Sequence, residues 1–163
     1  VLSVGDTPTC SIASDFSDVQ EIRPGNFVFY DIMQRGIGSC TDDQISCVLA
    51  CPVVVTYPSR GEIVVHGGGV HLAKDYLLQE DGSMVFGRVV RMTENGWALP
   101  STSMTVKSLS QEHGIIRADK EACESIHPGE ILGILPVHSC MTADVMEEYY
   151  TLSGERIRMM PKI

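Results

Sequence analysis

Short apolar runs separated by turn residues set the pattern of this chain. Asn26-Phe27-Val28-Phe29-Tyr30-Asp31-Ile32-Met33 is rich in aromatic and β-branched residues. It predicts a strand after the Pro-Gly turn at Pro24-Gly25. Residues 45–56 are almost wholly apolar and dense in Val, the composition of a long strand buried on both faces. Tyr57-Pro58-Ser59-Arg60-Gly61 turns the chain, and Glu62-Ile63-Val64-Val65-His66 returns. Further strands are expected at 84–90, 104–109, 115–118 and 131–135, and one or two helical turns at 70–78 and 143–148. Ser153-Gly154 reads as a two-residue turn between paired segments at 149–152 and 155–159. No segment sustains a 3.6-residue period. Roughly eight or nine short strands with one or two short helices make an all-β domain, a small barrel or sandwich.

Length and charge narrow the class. A chain of 163 residues suits one domain. The net charge of −9, with no basic stripe, argues against nucleic acid or an anionic membrane as partner. No apolar run approaches the roughly 20 residues of a membrane span. The start, Val1-Leu2-Ser3-Val4-Gly5-Asp6, lacks the basic and apolar regions of a signal peptide. It also lacks an initiating Met, as a piece of something longer would. The cysteines at 10, 40, 47, 51, 123 and 140 are irregularly spaced and read as reduced thiols of a cytoplasmic protein rather than a disulfide framework. Cys47 and Cys51, if both in one strand, stand about 13 Å apart and cannot share an ion.

The candidate chemistry lies in Pro136-Val137-His138-Ser139-Cys140-Met141-Thr142. In an extended backbone His138 and Cys140 fall on one face and Ser139 on the other. Imidazole and thiolate both ligate zinc, and two ligands leave room for water or substrate. The alternative is a core thiol beside a hydrogen-bonded rim imidazole. Val4-Gly5-Asp6-Thr7-Pro8-Thr9-Cys10-Ser11 offers amides and hydroxyls for an anion nest suited to phosphate, or forms a plain surface turn. Tyr30 sits where a phenol could reach a site or pack on a rim. Gly67-Gly68-Gly69 permits close backbone approach or positive φ but lacks dinucleotide-loop spacing. His66 and His71 flank it as structural histidines or ligands.

Several stretches together resemble one family. Pro24-Gly25-Asn26-Phe27-Val28-Phe29-Tyr30-Asp31, Gly61-Glu62-Ile63-Val64-Val65, Ser110-Gln111-Glu112-His113-Gly114, Pro128-Gly129-Glu130 and the His138-Ser139-Cys140 stretch occur in the order found in the C-terminal β-domain of D-serine dehydratase-like and D-threonine aldolase-like enzymes. These are pyridoxal-phosphate enzymes of the alanine racemase fold type. The resemblance implies that residues 1–23 are the end of a preceding α/β barrel and its connecting loop, and 24–163 the β-domain. It implies pyridoxal phosphate, its phosphate held by the loop of Gly5, Asp6 and Thr7, and zinc or another divalent metal on His138 and Cys140. It further implies a small D-amino acid substrate and a homodimer. Cys140, where the aldolase branch carries Asp, points to a dehydratase that expels the β-hydroxyl of a D-serine-like substrate. An aldolase, a racemase and a non-catalytic β-barrel binding module are the alternatives. None of the lysines at 74, 107, 120 and 162 stands where the family places its Schiff-base lysine, so the chain is expected to be one part of a longer or split enzyme. Within it Tyr30 and His113 are candidate catalytic groups, with Glu112 a supporting residue or a capping Glu.

Overall fold

The computed structural model describes residues 1–159; Lys162 lies outside them. Seven antiparallel strands form the main sheet: β1 (Leu49–Tyr57), β2 (Glu62–His66), β3 (Gly87–Thr93), β4 (Gly96–Ala98), β5 (Thr105–Leu109), β6 (His113–Arg117) and β7 (Ile131–Pro136). They run in the order β7-β1-β2-β6-β5-β3-β4, and β7 also pairs with β3. That last pairing, from Leu132 opposite Arg91 to Pro136 opposite Gly87, closes six strands into a barrel and leaves β4 outside. The expected choice between barrel and sandwich therefore falls to the barrel. Closure removes the open sheet edge that would otherwise need protection.

Alternation along the strands fills the interior. Cys51, Val53, Ile63, Val65, Val89, Val106, Ile116, Leu132 and Ile134 all point inward and are nearly or fully buried. Burial raises the Cys51 thiol to about 12, so it behaves as a core hydrophobe, and that of the partly buried Cys47, just before the strand and beside Cys140 and Ser139, to about 11. Contrary to expectation, β1 is not buried on both faces: Ala50, Pro52 and Val54 are exposed while Leu49, Cys51 and Val53 are buried. The strand buried on both faces is β7. Ile134 faces the barrel interior, and Leu135 joins a second apolar cluster with Ile32, Ile45, Val90 and Val137 on the outside.

Ile32 brings in a further departure. Residues 26–33 do not form the expected strand. They turn and then enter α2 (Ile32–Ile37), the second of five short α-helices among the described residues, after α1 (Thr7–Ile12). The reason lies in the helix ends. The Asp31 carboxylate accepts from Gln34 N at 2.8 Å, and Gly38 at φ 93° closes the far end. Phe27 and Val28, which suggested a strand, are exposed. The remaining helices are α3 (Gly69–Leu72), α4 (Lys120–Ser125) and α5 (Ser139–Met146). Short two-stranded ladders pair Leu77–Leu78 with Met84–Val85, and Glu148–Tyr150 with Arg156–Arg158. The second is joined by a loop longer than two residues, with Thr151 N donating to Glu155 O. The one parallel pair among the described residues joins Ser3–Val4 to Glu21–Ile22 across α1. Among the described residues no helix is long and apolar enough to cross a membrane.

The triglycine serves close approach, not positive φ. None of Gly67, Gly68 and Gly69 has a positive φ. A Cβ on Gly68 would stand 2.5 Å from Gln111 O, Glu112 C and His113 N, all of them backbone atoms that cannot rotate aside. Gly68→Ala is therefore expected to destabilise the protein by about 1–3 kcal/mol through forced backbone displacement. The check is the thermal or denaturant midpoint. An unchanged midpoint would show that the segment yields freely.

Candidate metal centre

β7 delivers the chain to the site. Val137 is 2 % exposed and pins the strand's end in the outer cluster. His138 then takes the N-cap position at φ −134° and ψ 97°, and α5 begins at Ser139. The pleat that was expected to align His138 with Cys140 is thus absent, because the strand ends at Pro136. What flanks Ser139 instead is a residue just outside a helix and one in its first turn. Ser139 is fully buried and doubly anchored. Its N–H donates to Asp31 Oδ2 at 3.0 Å and its hydroxyl donates to Tyr30 O. His138 and Cys140, on either side of it, are only half-buried. The anchored residue therefore presents its two chemically active neighbours towards accessible space.

Each neighbour has its own environment. His138 Nδ1 lies 3.1 Å from Asp75 Oδ2. A carboxylate only accepts, so Nδ1 is the donor and Nε2 of the neutral ring keeps its lone pair. The Cys140 thiol donates weakly to Gly25 O at 3.7 Å. Burial and then the charge of Asp31 push that thiol upward, so it stays protonated until a cation displaces the proton. Asp31 also raises Cys40 and Cys47, secondary in each to burial. It is 1 % exposed and accepts from Asn26 Nδ2, Gln34 N and Ser139 N. One buried carboxylate thereby ties the Gly25–Tyr30 turn, α2 and α5 together.

Backbone strain gathers around the same helix. Among the described residues three non-glycine residues have positive φ: Tyr30 at 49°, Ala73 at 60° and Glu147 at 62°. Tyr30 is bonded to Ser139 through its carbonyl, and Glu147 closes α5. Ala73 closes α3, which packs on α5 and accepts at Leu72 O from Thr142 Oγ1 at 3.4 Å. With ψ −163°, Ala73 lies in a region used almost only by glycine and costs on the order of 1–3 kcal/mol. Such outliers persist where surrounding structure holds them, and they concentrate at functional sites.

The other candidates scatter. Asp6 caps α1, its carboxylate accepting from Thr9 N at 2.7 Å, a bond that holds it below the usual carboxylate range. Thr7 is buried and its hydroxyl oxygen accepts from Asn26 N at 3.0 Å. Gly5 is exposed, and a Cβ there would meet the Arg23 guanidinium at 3.4 Å. In the first turn of α1 Pro8 has no N–H and Thr9 N is taken by Asp6, so a phosphate beside Arg23 could use the amides of Gly5, Asp6 and Thr7 only. Tyr30 places its hydroxyl 3.0 Å from Ser11 Oγ, which ties this segment to the one holding Ser139. His113 is drawn into a rim cluster, with ring centroids 5.7 Å from His66 and His66 4.9 Å from His71, and not onto His138 or Cys140. Glu112 is exposed and uses its carbonyl to accept from Gly67 N. Asp31 and Asp75 were not singled out in the sequence. Asp31 carried a local signal, an N-cap three residues before Gln34. Asp75 carried none, since its partner is 63 residues away.

The donor set fits a borderline divalent cation: one imidazole with its far nitrogen free and one thiol at the positive end of a helix. Among the described residues no three His, Cys, Asp or Glu side chains converge to enclose an ion, so the pair alone would leave positions for water or substrate.

Residues 46–152 match the family described as "Putative serine dehydratase domain". The D-serine dehydratase of Dictyostelium discoideum is 29% identical over 163 residues, covering 94% of this chain and 40% of the relative. An alanine racemase-like protein from Idiomarina loihiensis superposes with a TM-score of 0.81 at 28% identity, covering 96% of this chain and 42% of its own. A D-threo-3-hydroxyaspartate dehydratase, solved as a cysteine-to-alanine mutant in the metal-free form, gives a TM-score of 0.77 at 26% identity, covering 97% of this chain and 43% of its own. The chain spans about two fifths of the length of the curated relatives it matches.

Proposed function

The chain belongs to the serine dehydratase domain family, and from that membership we propose that it is the C-terminal, metal-carrying part of a pyridoxal-phosphate-dependent D-amino-acid lyase. In this reading residues 1–23 end a preceding α/β barrel that supplies the Schiff-base lysine, and 24–163 form the β-domain. The parallel pairing of Ser3–Val4 with Glu21–Ile22 across α1, foreign to the antiparallel barrel, supports that division. The six free thiols suit a reducing, cytoplasmic compartment. A homodimer follows by analogy with the fold type.

The observation that carries the reading is the start of α5, where the half-buried His138 and Cys140 flank the anchored Ser139. His138 would ligate through Nε2 and Cys140 as a thiolate. When bound, zinc supplies a Lewis acid for the departing β-hydroxyl of a D-serine-like substrate. When bound, pyridoxal phosphate supplies the electron sink. The amides of Gly5, Asp6 and Thr7 would hold its phosphate, with Arg23 close by. This chain's share of the work is positional. Asp31 and Ser139 fix the origin of α5, and Asp75 holds the His138 ring. A soft thiolate beside an imidazole favours zinc over magnesium, and Cys140 favours dehydration over aldol cleavage.

The test incubates the full-length protein with D-serine and D-threonine, before and after removal of metal by a chelator. Chelator-sensitive release of pyruvate and ammonia from D-serine is expected. Glycine and acetaldehyde from D-threonine would make the protein an aldolase, L-serine would make it a racemase, and no turnover with no bound zinc would make it a binding module.

A further inference from the structure

We propose that Asp75 is the positioning residue for His138, fixing its tautomer and ring orientation so that Nε2 faces the cation; this rests on the reading of His138 as a metal ligand. The Asp75 carboxylate lies 3.1 Å from Nδ1. Since the carboxylate can only accept, the proton must sit on Nδ1, and the neutral ring has its one free lone pair at Nε2. A carboxylate bonded to the far nitrogen of a metal-binding histidine is a recurrent support for such ligands.

Two further observations point the same way. The pair is a poor stability device. Its side chains are 39% and 43% exposed, where an ion pair contributes little in water. Asp75 makes no other ion pair among the described residues. Yet the backbone is strained to deliver it. Ala73, two residues earlier, adopts φ 60° and ψ −163° at the end of α3. That strain is held from both sides. Gly69 N donates to Ser110 O at 2.9 Å, and Leu72 O accepts from Thr142 in α5. The triglycine, α3 and Ala73 thus work as one bracket that carries Asp75 to the mouth of the site. Its exposure also means that substitution leaves the core untouched.

The experiment uses the full-length protein as wild type, Asp75→Asn, Asp75→Ala and Asp75→Glu. Zinc affinity is measured by competition with a chromophoric chelator. The His138 tautomer is read from long-range 1H–15N spectra of metal-free, 15N-histidine-labelled protein. Expected are zinc binding weakened about tenfold in Asp75→Asn and about a hundredfold in Asp75→Ala, partial recovery in Asp75→Glu, and a His138 signal that moves from a proton on Nδ1 to a mixed tautomer. The pyridoxal phosphate content and thermal midpoint should not change. Wild-type zinc binding that all three variants retain overturns the positioning role and leaves the metal site standing. Failure of the wild type to bind zinc overturns the metal site and this role with it.

Discussion

Cys140→Ala in the full-length enzyme is expected to lose its zinc and about a thousandfold in turnover of D-serine while keeping pyridoxal phosphate. The loss of metal follows from the donor count. His138 and Cys140 are the only protein donors proposed, and removing the thiolate leaves a lone imidazole, too little to retain a divalent ion against a chelator. The loss of rate follows from the leaving group. Hydroxide departs poorly, and a Lewis acid on its oxygen is worth several kcal/mol. About 4 kcal/mol corresponds to roughly a thousandfold. The fold should survive, since the partly buried Cys140 thiol makes one weak hydrogen bond among the described residues, to Gly25 O at 3.7 Å, and Ser139 supplies the anchoring. Full turnover in metal-stripped mutant protein would reject the role.

Asp31→Ala is expected to cost about 3–5 kcal/mol of stability. The carboxylate is 1 % exposed, and its removal strands the amide nitrogen of Asn26 and the N–H groups of Gln34 and Ser139. A buried donor without a partner costs about 1–3 kcal/mol, and the α2 cap is lost as well. Asp31→Asn should recover only part, because its own NH2 would face groups that are themselves donors. Both variants also remove the negative charge that raises Cys40, Cys47 and Cys140, so these thiols should become more acidic. Denaturant midpoints and the rate of thiol alkylation at fixed pH read the two effects. A midpoint within 1 kcal/mol of wild type would show that the buried carboxylate is not the organiser of this corner.

The barrel was legible because its information is local. Period-two alternation and turn residues mark β2, β5 and β6 within a residue or two, and the apolar run ending at Leu135 marks β7, the strand that leads to the site. The errors have local causes too. Val-rich composition made β1 look doubly buried, whereas the apolar layer outside the barrel, supplied by Ile32 and Ile45, covers Leu135 of β7 and Val90 of β3. Aromatic and β-branched residues at 27–29 outweighed the cap at Asp31 and hid α2. At the site, residue chemistry singled out His138 and Cys140, but through a pleat that ends at Pro136. The groups that hold them, Asp31 and Asp75, reach across 108 and 63 residues, and nothing within a few residues of either announces its partner.

The proposed site holds one cation between an imidazole and a thiolate at the start of α5. X-ray absorption at the zinc edge of the full-length protein measures this directly. The expected spectrum has one sulfur at about 2.3 Å and one imidazole nitrogen at about 2.0–2.1 Å, the remaining positions filled by oxygen, with the sulfur shell lost in Cys140→Ala. Zinc coordinated without sulfur in the wild type, or no zinc after reconstitution, would contradict it.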